Sequence, residues 1–202
     1  MKKVLILFAA LFISLQANAQ LRAEVSFVHA FEHWTEVGTK VPVSSLDGFQ
    51  AGIKWNFPFD NLFTGFSFEP GANLSFLFGQ EGSSAYKASE LSLNVPIHAR
   101  YTLELVRDFS LYGLIGPTLQ FGFAHTAVDS YYRTRYPLYN QNNATTITRN
   151  PFNLYLGVAV GAEIAQMIHV NIGVDLGLVN QSVSSYTKIS RNVLRVGVGY
   201  IF

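Results

Sequence analysis

Apolar and polar residues alternate along most of the chain, and the alternation has a period of two. The clearest case runs from Ile168 to Leu178, where every second residue is apolar and the residues between are polar or glycine. A period of two is the pattern of a β-strand with different surroundings on its two faces. Eight such segments predict eight strands. They cover about residues 21–31, 48–57, 65–78, 90–104, 109–125, 152–164, 168–178 and 194–202.

Short and long links alternate between these segments. The links after the second, fourth and sixth segments are short (PFDNLF, VRD and AQM), whereas the other links are longer and polar. Segments of about ten residues are long enough to cross a bilayer at a tilt, and this alternation is typical of outer-membrane barrels. We therefore predict an all-β fold, an eight-stranded antiparallel transmembrane β-barrel with both termini in the periplasm and the long loops outside.

The composition favours an apolar face that meets lipid. Hydrophobic residues make up 49% of the chain and charged residues only 13%, which is few for a surface that faces water. A soluble ligand-binding barrel, with its apolar face turned inward, is an alternative because the alternation is the same in both cases. Glycine, serine and asparagine dominate the polar face, and this choice of residues argues against the soluble alternative.

The N-terminus carries the features of an export signal. Lys2 and Lys3 precede an apolar run from Val4 to Ile13, and small residues follow at Ala17 and Ala19. This pattern predicts a secretory signal peptide over residues 1–19 and a barrel domain over residues 20–202. The chain contains no cysteine, which excludes disulfides and thiolate metal sites, and its formal charge of +1 gives no reason to expect nucleic acid as a partner.

Several stretches resemble a known family. LSLNVPIHARYTLE, LYGLIGPTLQFGF and the closing VLRVGVGYIF are similar to the outer-membrane-protein β-barrel domain family, which includes PorT-like proteins and small OmpA-type barrels. The resemblance covers nearly the whole chain. It implies a Gram-negative outer membrane with its lipid as surroundings, and roles in secretion, adhesion or anchoring. The final Phe202 is similar to the signal read by the barrel assembly machinery, which we expect as a partner of the last strand.

The polar faces of the segments place charged residues inside the predicted barrel. An eight-stranded barrel has room only for its own side chains, so we expect these residues to form a structural network that fills the lumen. In an antiparallel hairpin the residue numbers of paired residues have a constant sum, and these sums place Glu69 opposite His98 and Glu163 opposite His169. They also place Asp175 opposite Arg195 and Lys54 near Glu69. The predicted lumen network comprises Lys54, Glu69, His98, Arg100, Glu163, His169, Asp175 and Arg195.

An enzyme is the alternative function, because outer-membrane barrels can house lipid-modifying or hydrolytic enzymes. Glu163 and His169 are the candidate acid and base of such a site. Both are expected to point inward, away from outer-leaflet lipid, and no serine is expected beside them. The five histidines lack the spacing of metal ligands. We therefore expect no catalytic, metal or cofactor site.

The link between the fifth and sixth segments is the longest and contains SYYRTRYPLY. Tyrosine and arginine are the residue types that dominate binding hot spots. We expect recognition of an extracellular or secretion-system protein at this loop, and the alternative is that its aromatic residues fold over the barrel mouth. The candidate recognition residues are Tyr131, Tyr132, Arg133, Arg135 and Tyr136.

Overall fold

The computed structural model describes residues 20–36, 39–59, 64–81, 86–139, 149–183 and 187–202. The predicted signal peptide and part of the longest loop, residues 140–148, lie outside the described residues. The described part contains no helix long and apolar enough to cross a membrane. Its nine strands are β1 (Gln20–Glu36), β2 (Thr39–Pro58), β3 (Phe66–Glu81), β4 (Tyr86–Val106), β5 (Phe109–Asp129), β6 (Arg135–Pro137), β7 (Phe152–Ile164), β8 (Ile168–Gly177) and β9 (Thr187–Ile201).

Eight of these strands close into an antiparallel ring. Each pairs with its neighbours in chain order, apart from β6, and the ring closes where β1 pairs with β9 from Arg22–Ile201 to Glu36–Thr187. The short β6 pairs only with the outer end of β5, at Thr126–Pro137 to Val128–Arg135. Closure leaves no strand edge to be exposed to lipid, where an unpaired backbone amide is strongly unfavourable. The predicted eight-stranded antiparallel barrel is confirmed.

The two ends of the barrel differ in their links. The short-turn end, as we call it, is the end where β2 is followed by β3, β4 by β5 and β7 by β8, and Gln20 and Phe202 also lie there. The opposite, long-loop end carries the remaining links. Ala165 and Gln166 both have positive φ, 52° and 57°, which matches the two-residue hairpin turns whose twist suits antiparallel strands.

Several strands extend beyond their predicted bounds at the long-loop end. Within the predicted loop over residues 32–47, residues 32–36 and 39–47 instead continue β1 and β2, which pair as far as Glu36–Thr39. Similarly, β9 begins at Thr187 rather than Leu194. The outward-facing residues of the β1 and β9 extensions, such as His33 and Lys188, are polar, so these extensions lack the contrast between apolar and polar positions on which the prediction depended.

The apolar side of each strand faces outward. Phe49, Leu74, Ile172 and Val198 are each at least half exposed, whereas the intervening polar residues are buried inside the ring. A soluble barrel would have the opposite orientation, so the structure excludes that alternative. The inner face also has an apolar part. It consists of Val28, Ala30, Leu46, Leu77, Ala88, Tyr155 and Val193.

Three of the six prolines in the described strands, Pro70, Pro96 and Pro117, lie at or beside gaps in the hydrogen-bonded ladders that do not shift the register. Pairing of β2 with β3 skips from Lys54–Gly71 to Phe57–Phe68, and the skipped part contains Pro70. Pairing of β3 with β4 lapses beside Pro96, and pairing of β4 with β5 lapses beside Pro117. Local unpairing therefore accommodates the prolines, because each lacks the amide donor that the ladder requires. The register shifts in the described strands lie elsewhere, at Glu32/Trp34, Leu91/Ser92 and Glu104/Val106.

Candidate functional site

The lumen near the short-turn end holds a network of buried ion pairs around Glu69. The Glu69 carboxylate accepts hydrogen bonds from Arg22 (2.9 Å) and Arg100 (3.0 Å), and Lys54 Nζ lies 4.0 Å away. Glu163 lies between the same two guanidinium groups, at 2.7 Å from Arg22 and 2.5 Å from Arg100. The negative charges of the two glutamates are balanced by the positive charges of the two arginines, and a buried charge requires such a partner of opposite sign.

Glu24 extends this short-turn network across the barrel. It accepts hydrogen bonds from Lys54 (2.8 Å), Asn171 (2.8 Å) and Ser26 (2.9 Å). His169 Nδ1 lies 3.7 Å from the same carboxylate. With Arg22, Glu69, Arg100 and Glu163 included, the network joins side chains of β1, β2, β3, β4, β7 and β8, which are six of the eight strands of the ring.

The predicted lumen residues lie inside the barrel, but some have different partners. Glu69 is opposite His98 and Glu163 is opposite His169 in the ladders, as the sums of residue numbers predict. The His98 ring instead contacts Thr118, at 3.1 Å, and Glu163 binds the arginines. A guanidinium is always charged and presents a planar fork of donors, which makes it a stronger partner for a buried carboxylate than imidazole.

Asp175 and Arg195 form a separate pair. Their two contacts, 2.7 Å from Nε and 2.8 Å from Nη2, give the bidentate geometry in which both carboxylate oxygens are used. The ladder aligns Asp175 with Val193, so Arg195 reaches it from a diagonal position. The prediction that Asp175 lies directly opposite Arg195 is therefore wrong, because the long link between β8 and β9 does not fix their register, although the two side chains do pair.

A second network, which the sequence analysis missed, lies near the long-loop end. The Glu32 carboxylate accepts hydrogen bonds from both terminal nitrogens of Arg149, at 2.8 and 2.7 Å. It also accepts one from Nε of Arg191, at 2.8 Å. Nη1 of Arg191 forms an ion pair with the Glu90 carboxylate at 2.7 Å, and Nδ1 of His125 lies 3.4 Å from the same carboxylate. The side chains of this long-loop network are almost completely buried.

Arg149 connects this network to the longest loop. It precedes β7, its amide donates to the Leu138 carbonyl (2.8 Å), and its guanidinium lies 5.2 Å from the centre of the Trp34 ring. Leu138 is buried, and the Tyr139 ring packs against Gly122 and lies 5.4 Å from the His125 ring. Burial raises the pKa of the Tyr139 phenol. The residues that directly flank 140–148, Leu138 and Tyr139 on one side and Arg149 on the other, are thus folded into the barrel mouth.

The candidate recognition residues divide into two groups. Tyr131 and Tyr132 are 84% and 75% exposed and pack edge to face, with ring centres 4.8 Å apart, and Arg133 and Arg135 are also exposed. Tyr136 is half-buried and packs against Tyr86, with ring centres 6.4 Å apart. The loop therefore presents an exposed tip and anchors its following part at the mouth.

Hydrogen bonds fix the conformation of this tip. The Asp129 carboxylate accepts from the amides of Tyr131 (2.7 Å) and Tyr132 (2.9 Å), and the Asp129 amide donates to the Thr134 carbonyl (3.0 Å). Arg133 has a φ of 56°, a left-handed conformation that is uncommon for a residue other than glycine. The tip is a defined turn that projects two tyrosines into solvent.

The surroundings of Glu163 and His169 differ from the sequence-based expectation in one respect. The prediction that no serine lies beside them is wrong, because Ser110 pairs with Glu163 across β5 and β7 and its hydroxyl donates to Glu163 at 3.3 Å. Within the described residues no hydrogen bond joins Ser110 to His169, whose Nδ1 lies 3.4 Å from the Tyr112 hydroxyl. The described residues also contain no group of three or more His, Asp or Glu side chains that could hold a metal ion.

A closed antiparallel barrel with an apolar exterior and an ion-paired interior defines a class, that of the transmembrane β-barrels. A family model described as "Outer membrane protein beta-barrel domain" matches residues 5–202. The chain belongs to this family, and it is a protein of the cell outer membrane.

Solved structures of small outer-membrane proteins are similar to this chain. Neisserial surface protein A (NspA) is 12% identical to this chain, with a TM-score of 0.51, and the match covers 92% of this chain and 99% of the NspA chain. OprG from Pseudomonas aeruginosa is 14% identical with a TM-score of 0.48, covering 91% and 95%. Ail of Yersinia pestis is 13% identical with a TM-score of 0.45, covering 90% and 98%. At this identity the likeness to NspA shows the fold alone. A search of curated proteins found no match.

Proposed function

We propose that this protein is a non-enzymatic outer-membrane barrel with a filled lumen, which binds a protein partner through its long-loop end. The role is one of binding, adhesion or assembly. In this proposal the long loops face the outside of the cell, and Gln20 and Phe202 lie on the periplasmic side. The barrel assembly machinery then recognises β9 from that side during insertion.

The packing of the lumen supports the absence of a solute path. The short-turn network joins side chains of six strands, among them β1, β4 and β7, the long-loop network occupies the other end, and an apolar cluster that includes Leu46 and Leu77 lies on the inner wall. The interior of an eight-stranded barrel is just wide enough for side chains. Solutes have no space to pass while both networks are in place.

The exposed tip of the longest loop is the observation that carries the proposal. Two adjacent tyrosines project from a hydrogen-bonded turn, and Arg133 and Arg135 lie beside them. Tyrosine and arginine supply most of the binding energy in many interfaces, and a fixed turn reduces the entropy lost on binding. A rigid scaffold that carries a presented loop is a common arrangement for recognition.

Photo-crosslinking in intact cells tests this proposal. A photoreactive amino acid at Ser130, next to the two tyrosines, should give a discrete crosslinked adduct, and Tyr131→Ser with Tyr132→Ser should remove it. The barrel should still insert and keep its heat-resistant migration in detergent, because neither tyrosine packs on the barrel. The matched control places the photoreactive residue at Val183, which is exposed in another long loop.

Two results would contradict the proposal. An adduct at Ser130 that persists in the double variant would show that the tyrosines do not bind the partner. An adduct formed at Val183 and absent at Ser130 would move the binding surface to a different loop.

A further inference from the structure

The short-turn end of the barrel contains a cavity that the proposed function does not use. It has a volume of about 310 Å³ and opens at the mouth of the barrel. Its walls come from the ends of several strands, and Arg22, Asn56, Ser67, Ser110 and Glu163 are among its lining residues. At roughly 30 Å³ for each water molecule, this volume holds about ten waters or a small polar molecule.

Three buried polar atoms in the lining have no hydrogen-bond partner among the described residues. They are Arg22 Nε, Asn56 Oδ1 and Ser67 Oγ. All three residues are buried: Arg22 is 1% exposed, Asn56 is 8% exposed and Ser67 is 4% exposed. Most buried polar atoms in folded proteins pair with protein groups or with ordered water, so three such atoms around one cavity give a bound molecule three places to form hydrogen bonds.

The unpaired atoms require a molecule with both donors and acceptors. Arg22 Nε is a donor and needs an acceptor, Asn56 Oδ1 is an acceptor and needs a donor, and the Ser67 hydroxyl takes either. A hydroxyl group both donates and accepts. A ligand that carries several hydroxyls can therefore satisfy all three atoms at once.

The charges around the cavity favour a neutral ligand. Both terminal nitrogens of Arg22 already bind carboxylates, at 2.9 Å from Glu69 and 2.7 Å from Glu163. The remaining charged residues of the lining are Arg107, Glu104 and Asp108, so an anion would meet more carboxylates than free cations. A cation, in turn, would face the unpaired N–H of Arg22 at the base of the cavity.

We infer that this cavity is a binding site for a neutral polyhydroxylated ligand of the size of a monosaccharide or disaccharide, held by Arg22, Asn56 and Ser67. The volume lies at the lower end of the range for ligand pockets, which matches a ligand of one or two sugar rings. This site is at the opposite end of the barrel from the loop tip. It is therefore independent of recognition through Tyr131 and Tyr132.

Three sugars of one ring type test the charge argument. Glucose, the cationic glucosamine and the anionic glucose 6-phosphate are titrated into the isotope-labelled full barrel, and backbone NMR shifts are followed at Arg22, Asn56 and Ser67. The barrel is held in phosphocholine micelles, because maltoside and glucoside detergents carry sugar headgroups that would compete. Glucose should give saturable shifts, and each charged sugar should bind about fivefold more weakly.

Variants distinguish binding from a structural role. Asn56→Ala and Ser67→Ala should each weaken glucose binding about fivefold, the effect of losing one hydrogen bond. Ser67→Ala should leave the unfolding midpoint unchanged or raised, since its hydroxyl has no protein partner to lose. Ser130→Ala, at the opposite end, is the control and should bind glucose like the unmodified protein.

The inference is overturned by any of three results: glucose gives no saturable shift, a charged sugar binds more tightly than glucose, or Asn56→Ala and Ser67→Ala bind glucose normally. A lower unfolding midpoint for Ser67→Ala, with unchanged glucose binding, would assign its hydroxyl to the fold instead.

Discussion

Arg149 ties the longest loop to the barrel wall. It lies 117 positions from Glu32 in the sequence, yet the two side chains form two hydrogen bonds of 2.7–2.8 Å inside the barrel mouth. Both residues are almost completely buried. A buried carboxylate that loses one of its partners keeps the cost of its desolvation without the compensating attraction.

Replacing Arg149 should therefore weaken the fold. We expect Arg149→Met to lower the free energy of unfolding by about 3 kcal/mol, since Glu32 would retain only Arg191 of its two arginines. Arg149→Lys should lower it by about 1 kcal/mol, because lysine keeps the charge and loses the bidentate fork. Urea unfolding in micelles, followed by tryptophan fluorescence, measures both values.

The exposed Arg135 provides the control for this measurement. Arg135→Met should change the free energy of unfolding by less than about 0.5 kcal/mol, as surface substitutions usually do. Equal stability of Arg149→Met and Arg135→Met would show that the contact with Glu32 does not hold the loop.

Alternation predicted individual lumen residues only where the inner face is polar. It located Glu69, Glu163 and Asp175, which are inside the barrel. In β1 the inner face changes from polar at Glu24 to apolar at Val28 and Ala30, and this change made the segment look irregular. Arg22 and Glu24 were missed for that reason, and Glu32 was missed because it was assigned to the loop over residues 32–47. Arg149 lies in a loop, where no periodicity exists to identify it.

At the scale of the elements, strand ends within the lipid belt were predictable and those beyond it were not. The prediction for β7, residues 152–164, coincides with the structure. The ends of β1, β2 and β9 at the long-loop end were placed several residues too early or too late, because outward-facing residues there, such as His33 and Lys188, are polar and the alternation is lost. Hydrogen bonding to the neighbouring strand, which the sequence does not display, continues these strands.

The ladder gaps beside the prolines should be visible in hydrogen exchange. Pairing of β4 with β5 skips from Pro96–Thr118 to Ala99–Ile115, so the part that contains Ile97 and His98 lacks regular pairing with β5. We expect this part to exchange about tenfold faster than Val158 and Val160 of β7, whose pairing with β8 is unbroken. Hydrogen–deuterium exchange in micelles measures the ratio, and equal protection of both parts would contradict the interrupted ladder.

At the scale of the whole molecule, the barrel explains the composition. Few charged residues are needed because much of the exterior meets lipid, and many of those present pair with one another inside the ring. The sequence predicted this architecture because lipid permits only closed β-structures and helices, and the period of two excluded helices. The second charge network and the cavity at the short-turn end depend on contacts between distant strands, which the sequence pattern does not encode.

Single-channel recording tests the central claim, that the lumen is filled, most directly. The purified full-length protein is inserted into planar bilayers, and a sixteen-stranded porin, which has a water-filled channel, serves as the positive control. With both networks closing the lumen, the protein should give no steady current steps over hours at either polarity. Large, regular single-channel steps from the properly folded, heat-resistant form would contradict a filled lumen.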